Sequence, residues 1–157
     1  MTAARMHHVA LRVASLERAG AFYSEVFGAR PRGAPFLRSG RVAEEIACGP
    51  PGVRFRMGHL ELEGGLLELI EFEQPRLPAR VFHPSEGNIV HLALQVADAG
   101  ETLRRAEQRG GLRVWPELRT VAGSAARVIY LADPDENVIE AIEASPEQML
   151  AAIAANG

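Results

Sequence analysis

A seven-residue stretch that occurs twice constrains the fold of this chain more than any other feature of its sequence. The copies are HVALRVA at residues 8–14 and HLALQVA at residues 91–97, and five of the seven positions are identical. Each half also closes with a related apolar segment that contains two glutamates, at 67–71 and 139–143. Repeats of this kind predict a tandem duplication of one structural unit.

Hydrophobic patterning predicts the same order of elements, β-α-β-β-β, in both halves. In each repeat strand the histidine lies on a small, polar face suited to lining a cavity, and the branched residues on the other face suit packing under a helix. The two helices are predicted to begin at the caps Ser15 and Asp98. They are predicted to end at Gly28 and Gly110.

The remaining strands are assigned by alternation between turn residues. Residues 29–52 are rich in glycine and proline and predict an irregular loop with a short strand at 42–47. In the second half we expect a strand at 113–116 and then a turn-rich segment at 117–124. The prediction is therefore an α+β fold in one domain, 1–157, with these parts: module one 6–73, linker 74–88, module two 89–145 and C-terminal helix 146–155.

Composition restricts the class of protein. The formal net charge is −3 and acidic residues are mixed with the arginines, so nothing predicts nucleic-acid binding. All 17 basic residues are arginine, which excludes a Schiff-base lysine. The single cysteine, Cys48, allows no internal disulfide and has no evident activating base. With no apolar run of about 20 residues and no signal-peptide pattern, we expect a cytoplasmic protein that does not enter a membrane.

Each half contributes one histidine and one glutamate at equivalent positions, and these four residues are the predicted metal ligands: His8, Glu68, His91 and Glu140. Burying an unpaired carboxylate within an apolar strand is costly, so the two glutamates require a partner. Two neutral imidazoles and two carboxylates would neutralise a divalent cation. Such a donor set suits Zn, Mn, Fe, Co or Ni, and six-coordination leaves two positions for substrate oxygens.

Other polar residues are candidates for binding a substrate. Arg12 and Gln95 share the predicted cavity face with the histidines, and Arg12, Arg127 or an arginine of residues 29–56 is suited to hold an anionic group. His59 and His83 have no repeat partner and are predicted to lie at the surface or the substrate rim. Alternation turns Glu71 and Glu143 away from the cavity. The predicted substrate-binding residues are therefore Arg12, Gln95 and Arg127.

The chain resembles the vicinal oxygen chelate superfamily over residues 6–145. Four motifs carry the resemblance: the His-Val-Ala-Leu-Arg-Val opening, the Leu16-Glu17-Arg18…Phe22-Tyr23 helix ending in Phe27-Gly28, the His-Leu-Ala-Leu-Gln-Val-Ala-Asp stretch, and the closing Asp133-Pro134-Asp135…Asn137…Ile139-Glu140. The superfamily includes glyoxalase I, methylmalonyl-CoA epimerase, extradiol dioxygenases, fosfomycin-resistance enzymes and bleomycin-resistance proteins. The chain departs from the family pattern at Glu136, where glycine is usual.

The resemblance implies two βαβββ modules that form a cup-shaped mixed sheet, the glyoxalase-like fold. It also implies metal ligands at the four predicted positions and a homodimer, in which the same four residues can come from two chains. Binding-only members of the family lack the metal ligands. Because this chain keeps all four, the resemblance favours an enzyme acting on a small molecule.

Three functions remain open from the sequence alone. The preferred one is a glyoxalase-like lyase or epimerase-like isomerase, in which a chelated metal stabilises charge while Glu140 or Glu68 acts as general base. The second is an Fe(II) extradiol dioxygenase, which by resemblance uses a site of two histidines and one glutamate. The fourth ligand, Glu68, and the lack of an obvious extra active-site histidine count against it, but His59 and His83 are available to fill that place. The third is a metal-free drug-binding or resistance protein that uses the same cup without chemistry.

Overall fold

The computed structural model describes residues 4–47, 49–76, 89–121 and 124–156. The chain divides into two compact units, Met1–Arg80 and Val81–Gly157. Each unit contains a five-stranded mixed sheet with helices. The predictions for His83, Cys48 and most of the 74–88 linker lie outside the described residues.

Unit 1 contains a sheet whose strands follow the order β1-β5-β4-β2, with β3 also paired to β4. The strand β1 is parallel to β5, and the other pairings are antiparallel. Its elements are β1 (His8–Arg12), α1 (Leu16–Phe27), β2 (Arg30–Pro31), β3 (Phe36–Arg38), α2 (Gly40–Ala47), β4 (Arg54–Leu62) and β5 (Gly65–Gln74).

Unit 2 repeats this topology, with the sheet order β6-β10-β9-β7 and with β8 paired to β9. Here β6 is parallel to β10. Its elements are β6 (Leu92–Gln95), α3 (Ala99–Gln108), β7 (Leu112–Arg113), β8 (Arg119–Thr120), β9 (Arg127–Ala132), β10 (Val138–Ile142) and α4 (Pro146–Asn156). The matching topologies confirm the α+β class and the tandem arrangement predicted from the repeat.

The first helix of each unit begins at the predicted cap. Ser15 accepts a hydrogen bond from the backbone N–H of Arg18, and Asp98 accepts one from that of Glu101. At the other end of α1, Gly28 adopts φ 70°, a left-handed conformation that glycine reaches without a steric penalty. These local signals explain why helix boundaries were readable from the sequence.

Each sheet has one face covered by its first helix and an opposite face, here named the site face, that carries Glu68 or Glu140. In unit 1, α1 lies over the face that carries Glu71, whose carboxylate accepts the Leu16 N–H at 3.0 Å. In unit 2, α3 lies over the face that carries Glu143, which accepts the Ala99 N–H at 2.9 Å. Glu68 and Glu140 therefore face away from these helices, because side chains alternate along a strand.

Residues 42–47 form part of the helix α2, so the strand predicted there is wrong. Ala43 is fully buried and packs on the site face of unit 1 against Val53, Phe55 and Met57. An i,i+4 ion pair between Arg41 and Glu45 supports the helix on its exposed side. The apolar residues were spaced for a helix, which the surrounding glycines and prolines obscured.

The segment after α3 also differs from the prediction. The strand β7 covers only Leu112–Arg113, so residues 114–116 of the predicted strand lie outside it. The backbone N–H groups of Val114 and Trp115 still donate hydrogen bonds to the Tyr130 carbonyl. A further short strand, β8, lies within the segment predicted to be turns. Two-residue strands are set by pairing with a long neighbour, here β9, and leave little local pattern.

The turn before β10 is built on Asp133, which is fully buried. Its carboxylate accepts hydrogen bonds from the backbone N–H groups of Asp135 and Asn137 and from the Asn137 side-chain amide. Glu136 in this turn adopts φ 67°, the left-handed region in which a Cβ atom is strained. The departure from the family pattern therefore falls on a position whose backbone geometry favours glycine.

None of the helices in the described part of the chain has the length and apolarity needed to cross a membrane.

Candidate active site

Glu68 is the centre of the polar cluster on the site face of unit 1. Its carboxylate lies 3.0 Å from His59 Nε2 through one oxygen and 3.9 Å from His8 Nε2 through the other. The register places Ala10 beside Glu68 and His59 directly across from it, so β1, β5 and β4 each present one position to the cluster. The Glu68 side chain is 13% exposed and His8 40%, so the carboxylate is sheltered while the histidine is open to solvent.

Glu140 is the centre of the corresponding cluster in unit 2. Its carboxylate lies 3.2 Å from His91 Nε2. Tyr130 is directly across the β9–β10 pair from Glu140, and its ring contacts the His91 ring edge-on, with centroids 5.1 Å apart. Burial, with the charge and the hydrogen bond of Glu140, raises the pKa of Tyr130 to about 12. The phenol is therefore a proton donor throughout the physiological range.

An aromatic column extends from Tyr130 along the site face of unit 2. The Trp115 ring lies 4.4 Å from the Tyr130 ring, and the guanidinium carbon of Arg119 lies 4.6 Å from the Trp115 ring centre. Such contacts restrict the rotamers of Tyr130 and so fix its hydroxyl beside Glu140.

The His–Glu pairs can be tested against the spacing that metal ligands require. Two ligand atoms that are each about 2.1 Å from one ion lie about 3.0–3.4 Å apart in octahedral or tetrahedral coordination. The His91–Glu140 separation of 3.2 Å falls in this range, and the His8–Glu68 separation of 3.9 Å is slightly larger. His91 Nδ1, the ring nitrogen that faces away from Glu140, is buried without a hydrogen-bond partner.

The donor atoms thus fit a divalent cation in type, and in each unit they form a pair. Over the residues described, no three or more His, Cys, Asp or Glu side chains are gathered around one point that could hold a metal ion. All four residues predicted as ligands lie on the site faces of their own sheets, His8 and Glu68 in unit 1 and His91 and Glu140 in unit 2.

Arg127, predicted to bind substrate, lies on the opposite face of its sheet. Its guanidinium contacts Glu143 at 2.7 Å and Asp98 at 3.0 Å, at the start of α3. Burial works to raise the pKa of Glu143, but hydrogen bonds from Arg127 and from the Ala99 N–H outweigh it, and the net pKa is lowered. These ion pairs hold the start of α3 against its sheet.

The other predicted substrate-binding residues remain on the site faces. Arg12 lies beside Ile70 in the β1–β5 pair, and Gln95 lies beside Ile142 in the β6–β10 pair. Both side chains are exposed. Their role stays a prediction.

Several residues of the two clusters were not predicted from the sequence. Tyr130 was not considered, and His59 was assigned to the surface or rim, although both lie across from a predicted ligand. Phe36 was also missed; its ring lies 5.9 Å from the His59 ring. The signal available for His59 was the two-residue loop between Leu62 and Gly65, because counting back from such a loop fixes the cross-strand pairs as far as Phe55, where the register shifts.

The sequence profile of the Glyoxalase/Bleomycin resistance protein/Dioxygenase superfamily matches residues 5–141. The chain belongs to this superfamily, which confirms the resemblance to vicinal oxygen chelate proteins. It is 31% identical to the lactoylglutathione lyases of Salmonella typhimurium and Salmonella typhi over 147 residues, covering 89% of this chain and 93% of each relative.

Two solved structures show the same fold. A glyoxalase family protein from Bacillus cereus superposes with a TM-score of 0.73 at 21% identity, covering 90% of this chain and 95% of that one. A genomically encoded fosfomycin resistance protein from Listeria monocytogenes, solved with Mn(II) and sulfate, superposes with a TM-score of 0.58 at 18% identity, covering 96% and 99%.

Proposed function

We propose that this protein is a metal-dependent enzyme of the superfamily, a lyase or isomerase that moves a proton next to a carbonyl group of a small molecule. The observation that carries the proposal is the occurrence, in both units, of a histidine and a glutamate at repeat-equivalent positions with ligand-type atoms 3.2–3.9 Å apart. His8, Glu68, His91 and Glu140 are the proposed ligands of one divalent metal ion, supplied by one chain or by two. The likeness to two lactoylglutathione lyases supports the lyase reading.

The proposed chemistry divides between the ion and the carboxylates. A bound divalent ion supplies Lewis acidity toward two vicinal oxygens of the substrate. Glu68 or Glu140 takes a proton from the carbon beside the carbonyl and returns it to the neighbouring carbon, so that the substrate is isomerised without gain or loss of atoms. Each carboxylate has a second hydrogen-bonding neighbour, His59 or Tyr130, that holds it when it turns to the substrate.

The first test is metal analysis of the purified protein. We expect about one divalent ion per chain, and its loss in His91→Ala and Glu140→Gln. Glu107→Gln is the matched control, because Glu107 is an exposed carboxylate that pairs with Arg113 on the helix side of unit 2. A native protein that takes up no ion even after reloading, or an equal loss of metal in the control, contradicts the proposal.

The second test is turnover. The probe is the hemithioacetal of 2-oxopropanal and glutathione, which a proton shift converts to lactoylglutathione, and thioester formation is followed by absorbance. We expect activity that is abolished by a chelator and restored by added metal. A second product class, the isomer formed by epimerisation beside a thioester or carboxylate, is followed by proton exchange with D₂O.

One observation favours a second candidate function. His59 supplies an imidazole next to the predicted ligand Glu68. An extradiol dioxygenase of this superfamily would use such a histidine in addition to its metal ligands. That alternative predicts bound iron and oxygen uptake with a catechol. Zn, Ni or Co in the purified protein, with no oxygen uptake after loading with Fe(II), excludes it.

A further inference from the structure

Arg38 differs from the other arginines in its part of the chain. Residues 29–56 contain five further arginines, and each of these is ion-paired with a glutamate: Arg30, Arg32, Arg41, Arg54 and Arg56. Arg38 has no carboxylate partner among the described residues, and its Nε is buried without any hydrogen bond. A buried donor without an acceptor is costly, so this position calls for an acceptor from outside the chain.

Arg38 lies on the site face of unit 1. It is across from Phe55 in the β3–β4 pair, and Phe36 is across from Met57, on the same side of the sheet as His59. The guanidinium carbon lies 4.3 Å from the centre of the Phe36 ring, which in turn lies 5.9 Å from the His59 ring. Phe36 therefore supports the arginine over the same surface that carries His59 and Glu68.

The guanidinium is suited to one class of ligand group. Its planar array of N–H donors matches the two oxygens of a carboxylate or the oxygens of a phosphate, and stacking on an aromatic ring holds it in a fixed orientation. The four residue steps from Phe55 to His59 span about 14 Å of strand. The arginine reaches back over Phe36 toward His59. An oxyanion on Arg38 is therefore several bonds away from a carbon that reacts beside Glu68.

We propose that Arg38 binds an oxyanion of the substrate, so that the substrate is an anionic carbonyl compound whose carboxylate or phosphate is separated by several bonds from the reacting carbon. The inference deepens the proposed function, on which it rests for the reacting end of the molecule. Arg127, the arginine that the sequence made an equal candidate, is occupied by Asp98 and Glu143.

Binding of three probes to the protein as purified tests this assignment without requiring turnover. The probes are S-methylglutathione, which carries carboxylates, methyl phosphate, and uncharged N-acetylcysteamine, each titrated by calorimetry or NMR. We expect Arg38→Gln to raise the Kd of at least one anionic probe by about 10- to 100-fold, the usual effect of losing a charge-assisted hydrogen bond. Binding of the uncharged probe should not change.

Two further variants control for net charge and for folding. Arg41→Gln removes the same charge three residues away, from an exposed arginine paired with Glu45, and should leave all three affinities unchanged. Arg38→Lys keeps the charge but not the planar fork, and should bind the anion with intermediate affinity. The anionic probe that depends on Arg38 identifies the group as carboxylate or phosphate.

Several outcomes overturn the assignment. They are Arg38-independent binding of both anionic probes, failure of both anions to bind the native protein, and an equal loss in Arg41→Gln. The proposed function fails separately: absence of metal and turnover, with Arg38-dependent anion binding retained, refutes the enzyme and leaves the anion site. Metal-dependent turnover of anionic and neutral hemithioacetals alike, with no effect of Arg38→Gln, refutes the anion site and leaves the enzyme.

Discussion

His59 and Tyr130 occupy the same position in the two units. His59 is the cross-strand partner of Glu68, and Tyr130 is the cross-strand partner of Glu140. Each side chain contacts the carboxylate of its own partner. Both units therefore have a hydrogen-bonding group beside the predicted ligand, an imidazole in unit 1 and a phenol in unit 2.

The first prediction concerns His59→Phe. The substitution keeps a ring against Phe36 but removes the 3.0 Å hydrogen bond to Glu68. Loss of a group that orients a metal ligand typically lowers metal affinity or activity by about 10- to 100-fold, and we expect an effect of this size on the apparent Kd for Mn²⁺. In His59→Gln, which keeps a donor, affinity should partly recover; no difference between the two variants would assign His59 to packing alone.

The second prediction concerns Tyr130→Phe. The ring contacts with His91 and Trp115 remain, and only the hydroxyl that bonds to Glu140 is removed. We expect about a tenfold fall in kcat/KM for the hemithioacetal with little change in thermal stability. A parallel fall in the melting temperature of several degrees would show that the hydroxyl serves the fold instead.

The third prediction concerns stability and pH. Because the pKa of Glu143 is lowered in the folded state, its carboxylate contributes stability that is present above its ordinary value of 4.5 and is lost as the pH falls below it. Glu143→Gln should cost about 1–2 kcal/mol in the free energy of unfolding at neutral pH. The difference from the native protein should shrink in acid.

Urea titrations at neutral pH and below pH 4.5 compare the free energy of unfolding of the native protein with that of Glu143→Gln. Arg127→Gln should behave similarly, since the same ion pair is broken. It should not change the affinity for any of the three probes, which distinguishes its structural role from the substrate-binding role expected from sequence. A difference between native protein and Glu143→Gln that persists in acid contradicts the assignment.

The fourth prediction concerns the turn at Glu136. Its φ of 67° strains any residue with a Cβ atom, by about 1–2 kcal/mol, while glycine loses about 0.5–1 kcal/mol through the flexibility of the unfolded chain. Glu136→Gly should therefore stabilise the protein by about 0.5–1 kcal/mol. Glu136→Ala keeps the Cβ and should give no gain; equal stability of the two variants in thermal unfolding would show that the turn is unstrained.

Features encoded by neighbouring residues were predictable. The caps Ser15 and Asp98, the stop at Gly28 and the turn at 133–137 all rest on hydrogen bonds or backbone angles within a few residues. The repeat added long-range information, because two copies of a strand must meet equivalent environments. That is why the faces of the four predicted ligands could be assigned from the sequence.

Pairing between distant residues was less accessible. The helix α2 was taken for a strand because flanking glycines and prolines obscured its helical spacing. The contact that would have identified its buried side, Ala43 against Phe55, is formed with a strand ten or more residues away. The roles of the individual arginines could not be assigned from the sequence for a similar reason. Arg38 and Arg127 have the same side chain, and only their partners distinguish them.

The sequence by itself determined the tandem β-α-β units and the four residues predicted to bind a metal, because local periodicity and an internal repeat specify these. Its motifs carried the resemblance to the superfamily. The tertiary structure alone decided which groups surround each predicted ligand. It placed His59 and Tyr130 beside the glutamates. It paired Arg127 with Asp98 and Glu143 at the start of α3, and it left Arg38 Nε without an acceptor. These arrangements depend on strand register and on competition among charged groups. Neither can be predicted from a short stretch of sequence, because both involve residues that are distant along the chain.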